Sequence, residues 1–360
     1  MRRASLLPRA RRLFLAFAAV ALVASLPAAA QPAASFRAKE VRILVGYAAG
    51  GGYDIYARAV AQHLGRHLPG NPAVIVQNMP GADGLSVANS LYSQAPKDGS
   101  VIALTNRNVA VVPILGLVDA KDIRYDPQKF TWLANLNSEI SVALFRADSG
   151  IRTIEDLKVK TAIVGATGLT SNNAVYPYIM NNLIGTRITV VVGYPGTSDI
   201  TLALERGEIQ GNGGWAWSSF MVQRPTWLRE KFVVPVLQLS LQRVPELADG
   251  VPSIFDYASD AETRQALELI FSPDTMGRPF FAPPGLAAAT TAMLRGAFAA
   301  LAQDPAFLAT AAKTKLDLSF MGGEALQALV DRIAAATPAA VALATRITQR
   351  GTTAIESKTP

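Results

Sequence analysis

The stretch VGYAAGGGYDIYAR, residues 45–58, places three consecutive glycines between an apolar run and a helical pattern. The run VRILVGY is typical of a buried strand, and IYARAVAQHLGRHL is typical of an amphipathic helix. A strand, a glycine-rich turn and a helix in this order indicate a parallel α/β unit, which binds ligands at the carboxyl ends of its strands. Asp54 is the predicted N-cap of the helix.

The same alternation continues in two sets along the chain. The first set includes AVIVQN, LSVANSLYSQA and VIALTN, and the second begins near residue 140 with ISVALF, TIEDLK and TAIVGA. A chain of 360 residues is long enough for two domains, and no flexible linker separates the sets. We therefore predict an α/β fold of two lobes, each a mostly parallel sheet flanked by helices. Lobe one is predicted over 36–137 and 239–360 and lobe two over 138–238, joined by two crossing segments.

The first thirty residues have the composition of an export signal. Five arginines precede the apolar run Leu13 to Leu26, and Ala28 to Ala30 form a small-residue cleavage site before Gln31. The apolar run is shorter than the roughly 20 residues that a membrane-spanning helix needs. We expect cleavage and a periplasmic protein. RRLFLAF also fits a twin-arginine signal, so the export route stays open.

Charge and cysteine content exclude several classes of protein. Removal of the signal's five arginines lowers the formal net charge from +7 to +2, which gives no support to nucleic-acid binding. The chain has no cysteine, and so no thiol catalysis, cysteine metal site or lipid-modified cysteine. We expect no cofactor and a monomeric protein.

The triple glycine suits a small anion better than a nucleotide. Gly50 and Gly52 lack the third glycine of a dinucleotide fingerprint, and no lysine follows them as in a Walker loop. A tight turn without a ligand is the alternative. Bare amides at a helix N-terminus favour a carboxylate. QNMPGADGLS, GATGLTSNN and GYPGTSD are three further loops of this kind, and the first should face the same sheet edge as the triple glycine.

Catalytic groups are hard to assemble from this sequence. His63 and His67 are the only histidines and lie beyond the first turns of the helix, so a solvated helix face is favoured over a metal site. No G-x-S-x-G elbow occurs. Trp215 and Trp217 would share one face of an extended segment, either as core or as the wall of a ligand site.

The segments together identify a family resemblance. ILVGYAAGGGYDIYARAVAQHLGRHLPGNPAVIVQNMPGADGLSVAN followed by APKDGSVIAL resembles the extracytoplasmic receptors of tripartite tricarboxylate transporters, the Bug family. VVGYPGTSDITLALERGEI, VPSIFDYA and FFAPPGLAAATTAMLRGAFAALAQDPAF also look like this family, so the resemblance covers residues 36 to 350. It implies a Venus-flytrap binding protein that closes on a small carboxylate and delivers it to a membrane permease.

The resemblance also implies which residues hold the ligand. They belong to two loops of lobe one and two loops of lobe two: Tyr47, Ala49, Gly50, Gly51, Gly52, Tyr53, Asp54, Asn78, Pro80, Gly81, Ala82, Asp83, Thr167, Ser171, Tyr194, Gly196 and Thr197. The tryptophan pattern adds Trp215 to the predicted ligand-binding residues. Two positions, Met79 and Asp83, and the segment 210–215 depart from the family pattern. Asp83 stands where glycine is common, and we expect it to face a hydroxyl or amine of the ligand. The departures leave open which carboxylate is bound.

Two other functions remain at this point. An exported hydrolase that uses serine or aspartate without histidine is one. A sensor receptor that feeds a signalling protein is the other.

Overall fold

The computed structural model describes residue 36, residues 38–247 and residues 250–350, together with the backbone of residues 355–356. Its strands are β1 (Glu40–Val45), β2 (Ala73–Asn78), β3 (Val101–Leu104), β4 (Thr131–Asn135), β5 (Ser141–Arg146), β6 (Ala162–Ala166), β7 (Ile188–Val192), β8 (Gly211–Ala216), β9 (Val233–Leu239), β10 (Pro279–Ala282), β11 (Met321–Gly322) and β12 (Ile355–Glu356). Its α-helices are α1 (Gly52–Leu64), α2 (Leu85–Gln94), α3 (Val112–Leu115), α4 (Ile154–Val159), α5 (Asn172–Ile179), α6 (Thr197–Arg206), α7 (Trp217–Gln223), α8 (Ala261–Phe271), α9 (Ala288–Leu301), α10 (Pro305–Lys313), α11 (Gly323–Ala334) and α12 (Pro338–Thr348).

The first sheet has the strand order β11-β4-β10-β3-β1-β2. β1 pairs in parallel with β2 and β3, whereas β10 runs antiparallel to β3 and β4, and β11 antiparallel to β4. Alternate residues of β1 face opposite sides, as the period of two requires. Ile43 packs with Val60 of α1 and Phe298 of α9, and Leu44 packs on the other side with Leu91 of α2.

The second sheet has the order β12-β7-β6-β8-β5-β9. β6 pairs in parallel with β7 and β8, β12 in parallel with β7, and β5 runs antiparallel to β8 and β9. Thr153 caps α4 with a reciprocal capping box to Asp156, as its sequence position predicts. Two sheets flanked by helices confirm the predicted α/β class.

Two segments join the sheets side by side. Residues 136–140 lead from β4 to β5, and residues 272–278 lead into β10. Backbone amides tie the two segments together: Gly277 donates to the carbonyl of Asn137 and Glu139 to that of Asp274, both at 2.8 Å. These two hydrogen bonds link the segments where the chain passes between the sheets. The predicted lobe boundaries stay a prediction.

The predicted export signal lies outside the described residues. Within the described residues, no single helix is both long and apolar enough to cross a membrane. The consecutive helices α11 and α12 reach that length and composition together, but the chain bends by 89° between them.

Candidate functional site

Three helix N-termini converge on one cleft. α1 begins after the N-cap Gly51, α5 after Ser171 and α6 after Gly196. Each of these helices follows the carboxyl end of a parallel strand, β1, β6 and β7 respectively, so their first turns face the same side. The cleft is lined by residues from both sheets: Tyr47, Gly51, Gly52, Tyr53, Asn106, Arg107, Thr167, Ser171, Asn172, Asn173, Thr197, Gly214, Trp215, Ala216, Ser219 and Arg278.

The loop before α1 is held open by Asp54. Its carboxylate accepts from the amide of Gly50 and from Nε of Arg58, both at 2.8 Å, and from Nδ2 of Asn78 at 2.9 Å. Asn78 also donates to the carbonyl of Tyr47 at 2.9 Å. The predicted N-cap role of Asp54 is wrong, because Gly51 is the N-cap and Asp54 lies within the first turn.

The electrostatics of Asp54 suit this role. Burial opposes its ionisation, but the bonds from Arg58, Gly50 and Asn78 outweigh burial and lower the pKa of Asp54. Asp54 and Asn78 support the loop from behind and do not line the cleft. The first amides of α1 have no acceptor one turn earlier in the helix, which leaves them available to a ligand.

The loop before α2 is filled by Asp83. Its Oδ1 accepts from Tyr47 Oη at 3.1 Å and Thr167 Oγ1 at 2.6 Å, and its Oδ2 accepts from Thr170 Oγ1 at 2.6 Å and Asn106 Nδ2 at 2.8 Å. Burial raises the pKa of Asp83 to about 6, although each of the four hydrogen bonds lowers it. We expected Asp83 to face a hydroxyl or amine of the ligand, whereas its carboxylate faces hydroxyl groups of the protein itself.

The two sides of the cleft are in contact across it. The amide of Ala48 donates to the carbonyl of Pro195 at 3.3 Å. A Cβ added at Gly52 would lie 2.1 Å from Ser219 Oγ, and one added at Gly168 would lie 2.5 Å from the Cβ of Asp83. Glycine at these two positions allows an approach that alanine would prevent.

The predicted site residues fall into two groups. Eight of them line the cleft: Tyr47, Gly51, Gly52, Tyr53, Thr167, Ser171, Thr197 and Trp215. The others belong to the same loops but do not line it: Ala49, Gly50, Asp54, Asn78, Pro80, Gly81, Ala82, Asp83, Tyr194 and Gly196. Pro80, Gly81 and Ala82 are exposed, and Tyr194 packs against the apolar cluster beside β8.

Two buried arginines line the cleft and were not predicted. Arg107 follows β3 and ion-pairs with Asp274 at 2.9 Å. Arg278 precedes β10 and ion-pairs with Glu139 at 3.1 Å. The side chains of both pairs are at most 4% exposed, so each positive charge is neutralised within the protein.

Both arginines also contact residues other than their ion-pair partners. Arg278 donates to Ser219 Oγ at 2.8 Å, and its guanidinium carbon lies 4.9 Å from the ring centroid of Tyr53. Arg107 donates to Ser141 Oγ at 2.9 Å. Burial raises the pKa of Asp274 to about 6 despite Arg107 beside it.

Sequence signals for the missed residues differ. Asn106 and Arg107 come just after the carboxyl end of β3, so the rule that found the glycine loops also applies to them. Arg278 precedes an antiparallel strand, where that rule gives no signal. The other missed residues lie within four positions of the predicted Ser171 or Trp215, in α5, β8 and α7: Asn172, Asn173, Gly214, Ala216 and Ser219.

The tryptophans and histidines differ in part from expectation. Trp215 is the last residue but one of β8 and is 1% exposed, whereas Trp217 begins α7, so the two do not share an extended face. The indole nitrogen of Trp215 has no hydrogen-bond partner among the described residues. His63 is buried and contacts Thr310 Oγ1 at 2.8 Å, so the solvated face predicted for it is wrong.

The cleft therefore offers dipoles and neutral donors rather than net charge. Helix N-termini attract an anion, and the surrounding hydroxyl and amide groups can orient it. No group of three or more histidine, aspartate or glutamate side chains that could hold a metal occurs in the part of the chain that the structure describes.

Known proteins with similar sequences are UPF0065 proteins. One from Cupriavidus necator is 35% identical over 153 residues, which are 41% of this chain and 44% of the relative. One from Agrobacterium vitis is 32% identical over 184 residues, 49% of this chain and 51% of the relative. The matched region thus spans about half the length of these curated relatives. No family model matches the chain.

Solved structures with the same fold include the periplasmic binding protein BugD and two proteins with an organic acid. BugD superposes with a TM-score of 0.67 at 20% identity, covering 86% of this chain and 97% of BugD. MatC of Rhodopseudomonas palustris with bound malate gives 0.65 at 18% identity, covering 86% and 99%. An R. palustris protein with adipate gives 0.65 at 16%, covering 85% and 97%. The predicted resemblance and the predicted fold are confirmed.

Proposed function

We propose that this protein is an extracytoplasmic receptor that captures a small organic carboxylate in the cleft between its two sheets. The observation that carries the proposal is the convergence of three helix N-termini on a cleft in which both arginines are already neutralised. Main-chain amides and helix dipoles are then the groups that attract an acid. Malate and adipate in two neighbours of the same fold support this class of ligand.

The roles of individual residues follow from their positions. Gly51, Gly52 and Tyr53 present the first amides of α1 to one carboxylate, while Ser171 and Thr197 reach it from the facing helices. Asp54 and Asn78 hold the first loop in shape, with Gly50 tied to Asp54. Trp215 forms part of the wall behind the acid group.

Closure and delivery complete the proposed cycle. Lobe one, 36–137 and 239–360, and lobe two, 138–238, close around the ligand on the crossing segments. The closed receptor delivers the unaltered acid to the permease of a tripartite tricarboxylate transporter. The N-terminal signal directs the protein to the periplasm, where we expect a mature chain that starts at Gln31.

Ligand binding tests the proposal directly. The protein is purified and freed of co-purifying ligand by unfolding and refolding. Its thermal unfolding is then measured with mono- and dicarboxylates or with their uncharged amides. An acid at a hundred times its Kd should stabilise the protein by about 2.7 kcal/mol. The amides should have no effect, and mass spectrometry should recover the acid unchanged. Steady conversion of the acid, or stabilisation by none of the acids, would overturn the proposal.

Uptake tests the delivery step. Cells that lack this protein should lose transport of the acid, and reintroduction of the full chain should restore it. Normal uptake together with a lost transcriptional response to the acid would show a sensor receptor instead.

A further inference from the structure

Asp83 accepts hydrogen bonds from side chains that would otherwise be available to the proposed ligand. Of its four hydrogen-bond donors, three belong to residues that line the cleft, namely Tyr47, Asn106 and Thr167. Thr170, the fourth, comes from the same loop as Thr167. Tyr47 and Asn106 belong to the side of the first sheet, and the two threonines to the side of the second. One carboxylate of the protein thus bridges both sides of the cleft.

The four donors form a complete carboxylate site. Each carboxylate oxygen accepts two hydrogen bonds from neutral hydroxyl or amide groups, at distances of 2.6 to 3.1 Å. Asp83 is 5% exposed, so little water competes for it. Neutral donors in this arrangement bind any carboxylate that reaches them, whether it belongs to the protein or to a ligand.

Asp83 also carries a charge that disfavours a second anion. Arg107 and Arg278 are paired with Asp274 and Glu139, so neither is free to compensate another buried carboxylate. Two like charges in a water-poor site repel strongly because the local dielectric constant is low. A ligand with an acid group at each end would find the donors around Asp83 already occupied and would bring a second negative charge into the cleft.

We propose that Asp83 is an internal substitute for a second ligand carboxylate and restricts this receptor to acids that carry a single carboxylate group. The proposal rests on the proposed function, since it assumes that the first carboxylate binds at the N-terminus of α1. It adds a specificity determinant that lies outside the lining of the cleft and acts through Tyr47, Asn106 and Thr167.

The backbone makes the position suitable for a test. Asp83 has φ 55° and ψ 39°, in the left-handed region that glycine and asparagine adopt most readily. Asp83→Gly empties the site and frees the four donors without backbone strain. Asp83→Asn keeps the shape of the side chain and removes its charge.

The experiment compares acids of equal length with one or two carboxylates. Succinate, glutarate and adipate are each paired with their half-amides, succinamate, glutaramate and adipamate, and affinities are measured by calorimetry at neutral pH. The wild type should bind the best half-amide at least about tenfold more tightly than its dicarboxylate. Asp83→Gly should shift that ratio toward the dicarboxylate by at least about tenfold, and Asp83→Asn by less.

A matched control is Asp122→Asn. Asp122 is exposed and lies in the outer groove that Asp83 also borders, so it changes the same charge outside the donor cluster. It should keep the wild-type ratio.

The outcomes separate this inference from the proposed function. A wild type that prefers the dicarboxylates, or an unchanged ratio in both Asp83 variants, overturns the inference and leaves the proposed function standing. A wild type that binds none of the six acids contradicts both. Should Asp83→Gly fail to fold, the ratio in Asp83→Asn decides, because that variant retains the hydrogen-bonding shape.

Discussion

Two neighbouring loops of the first sheet treat an aspartate in opposite ways. The loop before α1 places Asp54 inside the helix, where its carboxylate turns back to Gly50 and Arg58 and leaves the cleft open. The loop before α2 places Asp83 ahead of the helix, where its carboxylate reaches across to Thr167 and Thr170. The pKa of Asp54 is lowered by its hydrogen bonds despite burial, whereas burial raises the pKa of Asp83 to about 6. We call residues 46–51, before α1, the open loop and residues 79–84, before α2, the filled loop. The position of one carboxylate relative to the helix start decides which kind forms.

Asp83→Asn, which removes the charge in the filled loop, should have the largest effect. That effect is expected in the pH dependence of the free energy of unfolding. Burial raises the pKa of Asp83 to about 6 in the folded protein. The pKa of an aspartate in the unfolded chain is about 3.9, so the folded chain holds the proton more firmly. The resulting stabilisation is complete below about pH 4 and is lost as pH rises through about 6. Over that window the wild type should lose about 3 kcal/mol relative to Asp83→Asn.

Urea unfolding of both proteins across this pH range is the measurement. The titratable neighbour Tyr47 stays protonated, because burial raises its pKa well above the usual value. Asp274, whose pKa is also raised to about 6, titrates in both proteins and cancels in the difference. Parallel stability curves for the two proteins would show that Asp83 is not the responsible group.

Gly52→Ala tests how closely the open loop must approach the facing helix. The added methyl group would lie 2.1 Å from Ser219 Oγ and 3.1 Å from Arg278 Nη2, so closure has to displace both. Overpacking of this kind costs about 1 to 3 kcal/mol, and the affinity for the best carboxylate should fall about tenfold to a hundredfold.

Gly296→Ala in α9 is the matched control for this substitution. A Cβ at Gly296 meets no atom within 4 Å, so affinity should stay at the wild-type value. Equal affinities for wild type and Gly52→Ala would mean that the ligand is bound without the contact between the open loop and α7.

Asp54→Ala tests what holds the open loop in shape. The substitution removes the acceptor of the amide of Gly50 and of the side chains of Arg58 and Asn78. Loss of hydrogen bonds to a charged group should weaken carboxylate binding about tenfold, as measured by calorimetry. Asp126→Ala, which removes an exposed side-chain cap remote from the loop, should leave binding unchanged. Wild-type affinity in Asp54→Ala would remove the supporting role from Asp54.

Tyr47→Phe should have the smallest effect. It deletes one of the four donors to Asp83, at 3.1 Å, while the ring can still stack on Tyr53 with the centroids 4.9 Å apart. The expected loss is about 1 kcal/mol of unfolding free energy. Its size is read from urea unfolding, and a loss as large as that for removal of the whole Asp83 side chain would mean that Tyr47 has a further structural role.

The architecture was predictable because its signals are local. Runs such as VRILVGY and TAIVGA alternate with amphipathic helices, and the rule that ligands bind at the carboxyl ends of parallel strands pointed to loops that line the cleft. Tyr47, Gly52, Thr167 and Thr197 were predicted for the site and line the cleft.

The misses arise from contacts between distant parts of the chain. Nothing near Asp83 in sequence indicates that Thr167 and Thr170 would satisfy its carboxylate. Arg278 reaches the cleft only because the segment before β10 runs beside residues 136–139. Asp54 is a favourable N-cap residue by type, but the N-cap is Gly51, so the helix starts three residues earlier than that pattern predicts.

The buried pairs Arg107–Asp274 and Arg278–Glu139 have a consequence for the loaded receptor. The charge of an anion held by amide dipoles is compensated neither by uptake of a proton nor by release of an arginine from its ion pair. Each bound acid therefore makes the protein more negative. Forms of the protein with and without the acid should then separate on an ion-exchange column, and the proposed permease would meet forms that differ in net charge as well as in shape.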